Sequence, residues 1–224
     1  MIVYKMNEIF QTIQGEGHFT GVPSVFIRLQ VCPVGCAWCD TKQTWQALAQ
    51  DQVSFSDIII KQVDSPTWCL ASVDEIISQY QSLGFTAKHI VITGGEPCLY
   101  NLLPLTQAFE KMGCQCQIET SGTSEIICSD NTWVTVSPKV AMKGKLPVLT
   151  SAMQRANEIK HPVATQKDID QLDALLTATN CQAKSGIALQ PISQKPRATE
   201  LCMQVCIERN WRLSIQTHKY LNIA

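Results

Sequence analysis

The apolar and polar positions of this chain repeat with two different periods, which predicts strands and helices in alternation. Short runs rich in β-branched residues predict strands over Ser24 to Gln30, His89 to Thr93, Cys116 to Thr120, Trp133 to Ser137, Gly186 to Gln190 and Trp211 to Gln216. Stretches with helical periodicity predict helices over Val73 to about Leu83, Leu102 to Met112, Ser151 to Asn157, Lys167 to Leu176 and Thr199 to Arg209. This alternation predicts an α/β fold with a parallel sheet and helical crossovers, either open or closed into a complete or partial barrel.

Polar residues and glycines mark the ends of several predicted elements. Ser72, followed three residues later by Glu75, is a capping-box pattern at a helix start, and Gly84 is a typical helix stop. Polar residues also recur where the predicted strands end, at Thr93, Glu119, Thr120, Ser137 and Gln190. In parallel α/β folds the carboxyl ends of the strands carry the chemistry, so these positions are candidate site residues.

The length and composition fit a single globular domain. The 224 residues suffice for one core, so we expect one domain over residues 1–224, with residues 43–66 as an insertion that carries one helix near residues 56–63. Lys and Arg number 18 and Asp and Glu number 19, giving a net charge of −1, and without a basic surface direct binding of nucleic acid is not expected. No apolar stretch is long enough to span a membrane, and the first residues lack a secretory signal pattern. We therefore expect a cytoplasmic protein with no membrane partner.

Eleven cysteines are present, and three of them have a spacing that indicates chemistry. In a reducing compartment cysteines do not form a disulfide framework, and most are expected to pack as small apolar residues. Cys32-x3-Cys36-x2-Cys39 instead places three thiols on one loop after a strand. Thiolates select iron–sulfur clusters, zinc or copper(I). The spacing alone supports a four-iron cluster with one open iron no better than a zinc site with a fourth ligand elsewhere, or three unligated thiols.

A second motif follows the next predicted strand. The segment Thr93-Gly94-Gly95-Glu96-Pro97 places two glycines at a strand end, where a backbone can approach a ligand closely. Taken alone, this motif is better explained as an ordinary glycine turn. Its meaning depends on the cysteine spacing that precedes it.

Together with the aromatic Trp38 before Cys39, the two motifs resemble the radical S-adenosylmethionine superfamily. The resemblance implies that Cys32, Cys36 and Cys39 hold a [4Fe–4S] cluster whose fourth iron binds S-adenosyl-L-methionine. It also implies that the glycine-rich strand end contacts the methionine part of this cofactor. Trp38 would pack near the adenosyl group, although it could equally belong to the core. The fold that the resemblance implies is a modified, incomplete (β/α) barrel.

Further stretches resemble the 7-carboxy-7-deazaguanine synthase family of queuosine and 7-deazapurine biosynthesis. They are Ile13-Gln14-Gly15-Glu16-Gly17, Asp40-Thr41, Ser137-Pro138-Lys139, Gln190-Pro191 and Gln216 to Ala224. The resemblance covers the whole chain and is weakest in the insertion. It implies a radical lyase that converts 6-carboxy-5,6,7,8-tetrahydropterin into 7-carboxy-7-deazaguanine with loss of ammonia, using the cluster, S-adenosyl-L-methionine and Mg²⁺. It further implies a homodimer and an electron donor such as flavodoxin or ferredoxin.

The resemblance also implies roles for individual residues. Thr41 would be the Mg²⁺ ligand, although a hydroxyl that caps a helix would explain Thr41 otherwise. Substrate contacts are implied for Ile13, Gln14, Gly15, Glu16, Arg28, Thr93, His218 and the terminal carboxylate of Ala224. Cofactor contacts are implied for Gly95, Ser137, Pro138, Lys139, Gln190, Pro191, Ile192 and Ser193. Without the resemblance, Arg28 would be interpreted as a surface salt-bridge residue and His218 as a core residue.

Two other functions agree with parts of the sequence. A glycyl-radical activating enzyme would share the cluster but would not need the loop at residues 13–17 or the closing segment at residues 216–224. If the chain were a non-catalytic zinc or iron–sulfur module, removing its last residue would have no effect on its function. Visible absorption of anaerobically purified protein separates a cluster, which is brown, from zinc, which is colourless.

Overall fold

Nine strands of the described residues form one sheet. The computed structural model describes residues 2–61, 63–221 and 223. The strands are β1 (Val3–Ile13), β2 (Pro23–Leu29), β3 (Cys69–Ser72), β4 (His89–Gly94), β5 (Gln115–Thr120), β6 (Trp133–Val136), β7 (Glu158–Val163), β8 (Ile187–Pro191) and β9 (Arg212–Leu213). Their order in the sheet is β3-β1-β2-β4-β5-β6-β7-β8-β9. Strand β1 runs antiparallel to β2 and β3, and the other neighbouring pairs are parallel.

Helices connect most of the parallel strands. They are α1 (Phe55–Ile59), α2 (Val73–Ser82), α3 (Leu103–Lys111), α4 (Thr150–Arg155), α5 (Gln166–Thr179), α6 (Pro196–Arg209) and α7 (Thr217–Leu221). Helices α2 to α6 each link two strands of the parallel part of the sheet or lead into it. In the part of the chain that the structure describes, none of these helices has the length and apolar character needed to cross a membrane.

The predicted alternation is confirmed for most of the chain. Strands β2, β4, β5, β6 and β8 and helices α2 to α6 lie within a few residues of their predicted bounds. The capping box of α2 is present, because the backbone N–H of Glu75 donates to Ser72 Oγ and the N–H of Ser72 donates to the Glu75 carboxylate at 2.8 Å. Gly84 then ends this segment with a φ of 63°. The α/β class with a mostly parallel sheet is therefore correct.

Three strands are not predicted by the sequence pattern, and one prediction is too long. Strand β7 contains a proline and two charged residues, Glu158 and Lys160, that are buried, so its pattern does not indicate a strand. Strand β1 contains a bulge between Met6 and Glu8, which breaks its alternation. Strand β3 has only four residues. Strand β9 ends at Leu213 rather than residue 216.

The insertion at residues 43–66 is anchored to the sheet by two buried amides. Its helix, α1, is shorter than predicted and ends before residue 60. The side-chain amide of Gln30 donates to the carbonyl of Gln46 at 2.6 Å, and that of Asn7 donates to the carbonyl of Ser65 at 3.1 Å. The two amides also bond to each other at 2.9 Å. Both ends of the insertion are therefore fixed to β1 and the end of β2.

The apolar core lies between the sheet and the helices in two clusters. The first packs strands β1 to β5 against α1 to α3 around Phe109. The second packs β6 to β8 against α4 to α6 around Leu172. Successive strand residues point to opposite faces, so Thr93, Glu119, Ser137 and Gln190 lie opposite this core. The residue before each of them is fully buried, namely Ile92, Ile118, Val136 and Leu189.

The sheet curves so that its polar face encloses a space. The loop after β1 contacts the far side of the sheet, where Glu16 pairs with Lys160 on β7 at 2.7 Å. The N–H of Gly17 also donates to Ser214 Oγ, just after β9, at 3.0 Å. Strands β4, β5 and β6 lie between β2 and β7 in the sheet order. A loop can bridge these strands only if the sheet bends around, which places the strand ends around one cavity.

Candidate active site

A cavity of about 830 Å³ opens at the carboxyl ends of the parallel strands. The cysteines of the loop at residues 31–41, here called the cysteine loop, line it on one side, and the loop after β1 lines it on another. The polar strand-end residues line its wall, namely Thr93, Glu119, Thr120, Ser137 and Gln190. The five positions therefore share one cavity.

Most of the predicted site residues meet in this cavity. Those that line it are Ile13, Gln14, Gly15, Glu16, Arg28, Cys32, Cys36, Trp38, Cys39, Thr41, Thr93, Gly95, Ser137, Lys139, Gln190, Ile192, Ser193 and His218. Pro138 and Pro191 are buried and do not line it. Each lies in sequence between two residues that do. Ala224 lies outside the described residues.

The cysteine loop holds three free thiols. The N–H of Cys39 donates to the carbonyl of Cys36 at 3.2 Å, and the N–H of Cys32 donates to the carbonyl of Trp45 at 3.0 Å. Burial raises the pKa of the Cys32 thiol to about 11, and the negative charges of Glu96 and the two other cysteines add to this effect. The Cys32 thiol is therefore protonated at neutral pH, and binding a metal would release its proton.

The donor set of the cysteine loop suits an iron–sulfur cluster. A structural zinc site needs four ligands around one ion, and the cysteine loop supplies three cysteines. Three soft thiols instead border a space far larger than an ion. Iron–sulfur clusters are held by such thiolates, and a four-iron cluster separates its ligands widely.

The two glycines of the second motif permit a close backbone contact. A Cβ atom at Gly94, whose φ is +110°, would lie 2.4 Å from the backbone of Leu29, and one at Gly95 would lie 2.2 Å from the carbonyl oxygen of Val31. The N–H of Gly95 donates to Leu29 O at 2.7 Å, and the N–H of Glu96 donates to Val31 O at 2.8 Å. The motif is therefore no ordinary turn, because it packs against the backbone that leads into the cysteine loop.

Glu96 fixes this turn to the neighbouring strand. Its buried carboxylate accepts hydrogen bonds from Thr120 Oγ1 at 2.6 Å, from the N–H of Ser121 at 2.9 Å and from the N–H of Cys98 at 3.0 Å. Ser121 Oγ is a further donor. Both carboxylate oxygens of Glu96 thus have hydrogen-bond donors within the protein. Glu96 thereby connects the ends of β4 and β5.

A buried lysine lies between two carboxylates on the cavity wall. Lys160 Nζ is 2.7 Å from a carboxylate oxygen of Glu16 and 2.7 Å from one of Glu119. Burial opposes the charge of Glu16, but the ion pair with Lys160 outweighs it and lowers the pKa of Glu16 to about 2. Burial raises the pKa of Glu119 to about 7, and Lys160 offsets this only in part. One lysine does not neutralise two desolvated carboxylates, so Glu119 takes up a proton near neutral pH.

The loop after β1 presents Gln14 and a close contact to His218. The Gln14 amide donates to Gln117 Oε1 at 3.3 Å, and its oxygen accepts from the N–H of Glu16 at 3.0 Å. A Cβ atom at Gly15 would lie 2.5 Å from Nδ1 of His218. Gly15 therefore packs against the imidazole of His218, and His218 lines the cavity rather than the core.

Arg28 and Thr41 both point into the cavity. Arg28 is 18% exposed, forms an ion pair with Glu8 at 2.6 Å and lies over the ring of Phe10 at 4.8 Å. It is therefore not a surface salt-bridge residue. Thr41 precedes a short 3-10 turn but makes no capping bond; its hydroxyl lies 3.6 Å from Cys39 Sγ and 3.5 Å from a backbone carbonyl oxygen. The alternative of a helix-capping threonine does not hold.

Several cavity residues were not among the predicted site residues. They include Glu8, Phe10, Phe26, Asp40, Trp45, Lys61, Asp64, Glu96, Ser121, Lys160 and Gln216. Asp40 and Glu96 carried a signal in the sequence, because they belong to the Asp40-Thr41 stretch and to the glycine-rich motif at residues 93–97. Lys160 lies on a strand that the pattern did not predict. Lys61 and Asp64 show that the insertion contributes part of the wall.

Comparison with known proteins agrees with this geometry. No protein-family model matches the chain. A 7-carboxy-7-deazaguanine synthase from Escherichia coli (strain K12) is 59% identical over 221 residues, covering 99% of both chains, and one from Buchnera aphidicola subsp. Schizaphis graminum (strain Sg) is 53% identical over 220 residues, covering 98% of this chain and 99% of the other. The crystal structure of QueE from Escherichia coli matches with a TM-score of 0.92 and 57% identity, covering 96% of this chain and 94% of that one. The chain belongs to the 7-carboxy-7-deazaguanine synthase family.

Proposed function

We propose that this chain converts 6-carboxy-5,6,7,8-tetrahydropterin into 7-carboxy-7-deazaguanine with release of ammonia, as a step of queuosine and 7-deazapurine biosynthesis. The observation that carries the proposal is the single cavity onto which the cysteine loop, the glycine turn and the loop after β1 all open. We further propose that the curved sheet is the modified, incomplete (β/α) barrel of radical S-adenosylmethionine enzymes. Residues 1–224 would form one domain of this type.

The cysteine loop and the strand ends would hold the cofactors. Cys32, Cys36 and Cys39 would hold a [4Fe–4S] cluster. S-Adenosyl-L-methionine would lie along Gly95 and Trp38 and against the cavity residues Ser137, Lys139, Gln190, Ile192 and Ser193, with the buried Pro138 and Pro191 belonging to the same two segments. When bound, the two groups supply the hydrogen-atom abstraction that starts the ring contraction. The surrounding chain positions them and limits the access of water.

The loop after β1 would bind the pyrimidine edge of the pterin. Gln14 and Glu16 supply an amide and a carboxylate, which match the N–H and C=O groups of a guanine-like ring. The ion pair with Lys160 keeps Glu16 ionised, so Glu16 accepts hydrogen bonds from N–H groups. Glu119 lies on the same wall, where it pairs with Lys160 at 2.7 Å.

Arg28 would bind the substrate carboxylate, with Ile13, Thr93 and His218 completing the pocket. Glu8 occupies only Nη1 of the guanidinium. An arginine has five N–H donors, and its remaining nitrogens can hold a second carboxylate. Glu8 would then orient Arg28 rather than block it. A role for the terminal carboxylate of Ala224 stays a prediction.

Thr41 would provide the protein oxygen atom for Mg²⁺. It lines the cavity. Magnesium uses few protein ligands and completes its shell with water and substrate oxygens, so one hydroxyl beside the substrate cavity is a suitable donor. An electron donor such as flavodoxin or ferredoxin, a homodimer and a place in the cytoplasm, where the free thiols stay reduced, also remain predictions.

One anaerobic turnover experiment tests the proposed function. The protein is reconstituted with iron and sulfide and then mixed with dithionite, S-adenosyl-L-methionine, Mg²⁺ and 6-carboxytetrahydropterin, and the products are followed by mass spectrometry. We expect 7-carboxy-7-deazaguanine. If only 5′-deoxyadenosine appears, the substrate is wrong and an activating enzyme becomes the better description. If an intact cluster gives neither product, the enzymatic role is refuted.

A further inference from the structure

Trp45, at the start of the insertion, contacts the cysteine loop at two places. Its indole N–H donates to Sγ of Cys39 at 3.3 Å. Its backbone carbonyl accepts the N–H of Cys32 at 3.0 Å. One residue thus bonds to both the first and the last cysteine of the motif.

The residue before Trp45 strengthens this contact. Thr44 is fully buried, and its carbonyl accepts the N–H of Val31 at 2.7 Å. Its hydroxyl donates to the carbonyl of Thr41, also at 2.7 Å. The backbone at residues 44–45 therefore fixes both ends of the cysteine loop, which limits the freedom of the indole ring next to the sulfur.

We infer that Trp45 is a positioning residue that orients Cys39 and raises the reduction potential of the bound cluster. The inference rests on the proposed cluster-binding role of the cysteine loop. The indole nitrogen is a donor only, so the direction of this hydrogen bond is fixed. A hydrogen bond to a ligating sulfur stabilises the more negative, reduced cluster, and such bonds are among the factors that set the potential.

Thr41 is the other described polar neighbour of this sulfur. Its hydroxyl lies 3.6 Å from Cys39 Sγ, and either atom could be the donor. Its direction is not fixed, and the hydroxyl also lies near a backbone carbonyl. The indole N–H is thus the contact with a defined electronic effect.

The test uses Trp45→Phe, which keeps an aromatic ring and the backbone carbonyl but removes the N–H donor. A matched control is Trp68→Phe, because the Trp68 indole donates to the carbonyl of Leu48 at 2.9 Å rather than to sulfur. Both variants and the unchanged protein are reconstituted anaerobically. Iron content and the midpoint potential are then measured by EPR-monitored redox titration, without S-adenosyl-L-methionine or pterin.

We expect Trp45→Phe to bind iron and to show a more negative midpoint potential, while Trp68→Phe keeps the original value. Loss of iron from Trp45→Phe alone, with unchanged thermal unfolding, would also support the positioning role. A fully loaded Trp45→Phe protein with unchanged potential would overturn the inference, as would an equal shift in both variants. The measurement uses neither substrate nor turnover, so it stays valid even if the proposed substrate is incorrect. If the unchanged protein binds no iron, both this inference and the proposed function are refuted.

Discussion

Replacing Lys160 with methionine would leave two buried carboxylates without their shared counter-charge. The Lys160 side chain is only 6% exposed and lies 2.7 Å from both Glu16 and Glu119. Removing one partner of a buried ion pair typically costs about 3–5 kcal/mol, because the remaining charge stays desolvated. Methionine has a similar length, so the loss of packing is small. We expect a decrease of about 3 kcal/mol or more in the free energy of unfolding at pH 8.

The two carboxylates affect stability in opposite directions in the unchanged protein. Burial opposes the charge of Glu16, but the ion pair with Lys160 outweighs it and lowers the pKa of Glu16 to about 2, which stabilises the fold, whereas burial raises the pKa of Glu119 to about 7, which costs stability. The Glu16 contribution is present above pH 4.5 and is lost as the pH falls towards 2. The Glu119 cost grows as the pH rises from 4.5 through 7.

The variant should show a pH dependence of defined sign. Without Lys160, burial raises the pKa of both carboxyl groups above the value of 4.5 in the unfolded chain. The folded state then binds more protons than the unfolded state, so stability falls as the pH rises. The deficit of Lys160→Met should therefore be smaller at pH 5 than at pH 8 by at least ~1 kcal/mol.

Urea unfolding of the full chain at the two pH values measures this deficit. Arg209→Met is a matched control, because Arg209 pairs with Asp173 at 2.5 Å with both side chains more than a third exposed. Exposed pairs contribute only about 0–1 kcal/mol, so this variant should lose little at either pH. A deficit of Lys160→Met no larger than that of the control, or one that is equal at pH 5 and pH 8, would refute the reasoning.

Three further substitutions test other parts of the site. Cys36→Ala should abolish both the cluster and turnover, with iron content as the measurement and Cys181→Ala, a half-buried cysteine outside the loop, as the control; product from Cys36→Ala would contradict the cluster assignment. Arg28→Ala should raise the KM for the pterin roughly ten- to a hundredfold, the range for a lost hydrogen bond to a charged group, while cofactor cleavage persists; equal loss of both would argue against a role in carboxylate binding. Gly95→Ala would place a Cβ atom 2.2 Å from Val31 O, so we expect a loss of about 1–3 kcal/mol together with lower iron content, and full iron content would show that the turn does not support the cysteine loop.

The elements that the sequence predicts well are those with a regular apolar face. Strand β4 is an example, because its central residues are buried and two glycines end it. Strand β7 fails for the opposite reason. Glu158 and Lys160 are buried on its cavity face, and a pattern with charges at these positions resembles a surface loop. Lys160 can be buried in a strand because Glu16 and Glu119 pair with it in the folded protein.

The candidate site likewise has parts that the sequence predicts and parts that it does not. The cysteine loop and the glycine turn depend on short spacings, so the sequence displays them directly. The contacts of Lys160 with Glu16 and Glu119 join positions that are far apart along the chain. No local pattern connects them, and the curvature of the sheet alone brings them together. The wall formed by the insertion was missed because its polar residues have no periodicity.

The hydrogen bonds between the loop after β1 and the start of α7 have a consequence for folding during synthesis on the ribosome. The carbonyl of Gly15 accepts both the N–H and the hydroxyl of Thr217, 202 residues later. At usual rates of translation, roughly 10–40 s separate the synthesis of these two residues. The cysteine loop and the glycine turn are complete within the first half of the chain, long before this closure. The thiols of the cysteine loop are therefore synthesised long before the contact between Gly15 and Thr217 can close this side of the cavity.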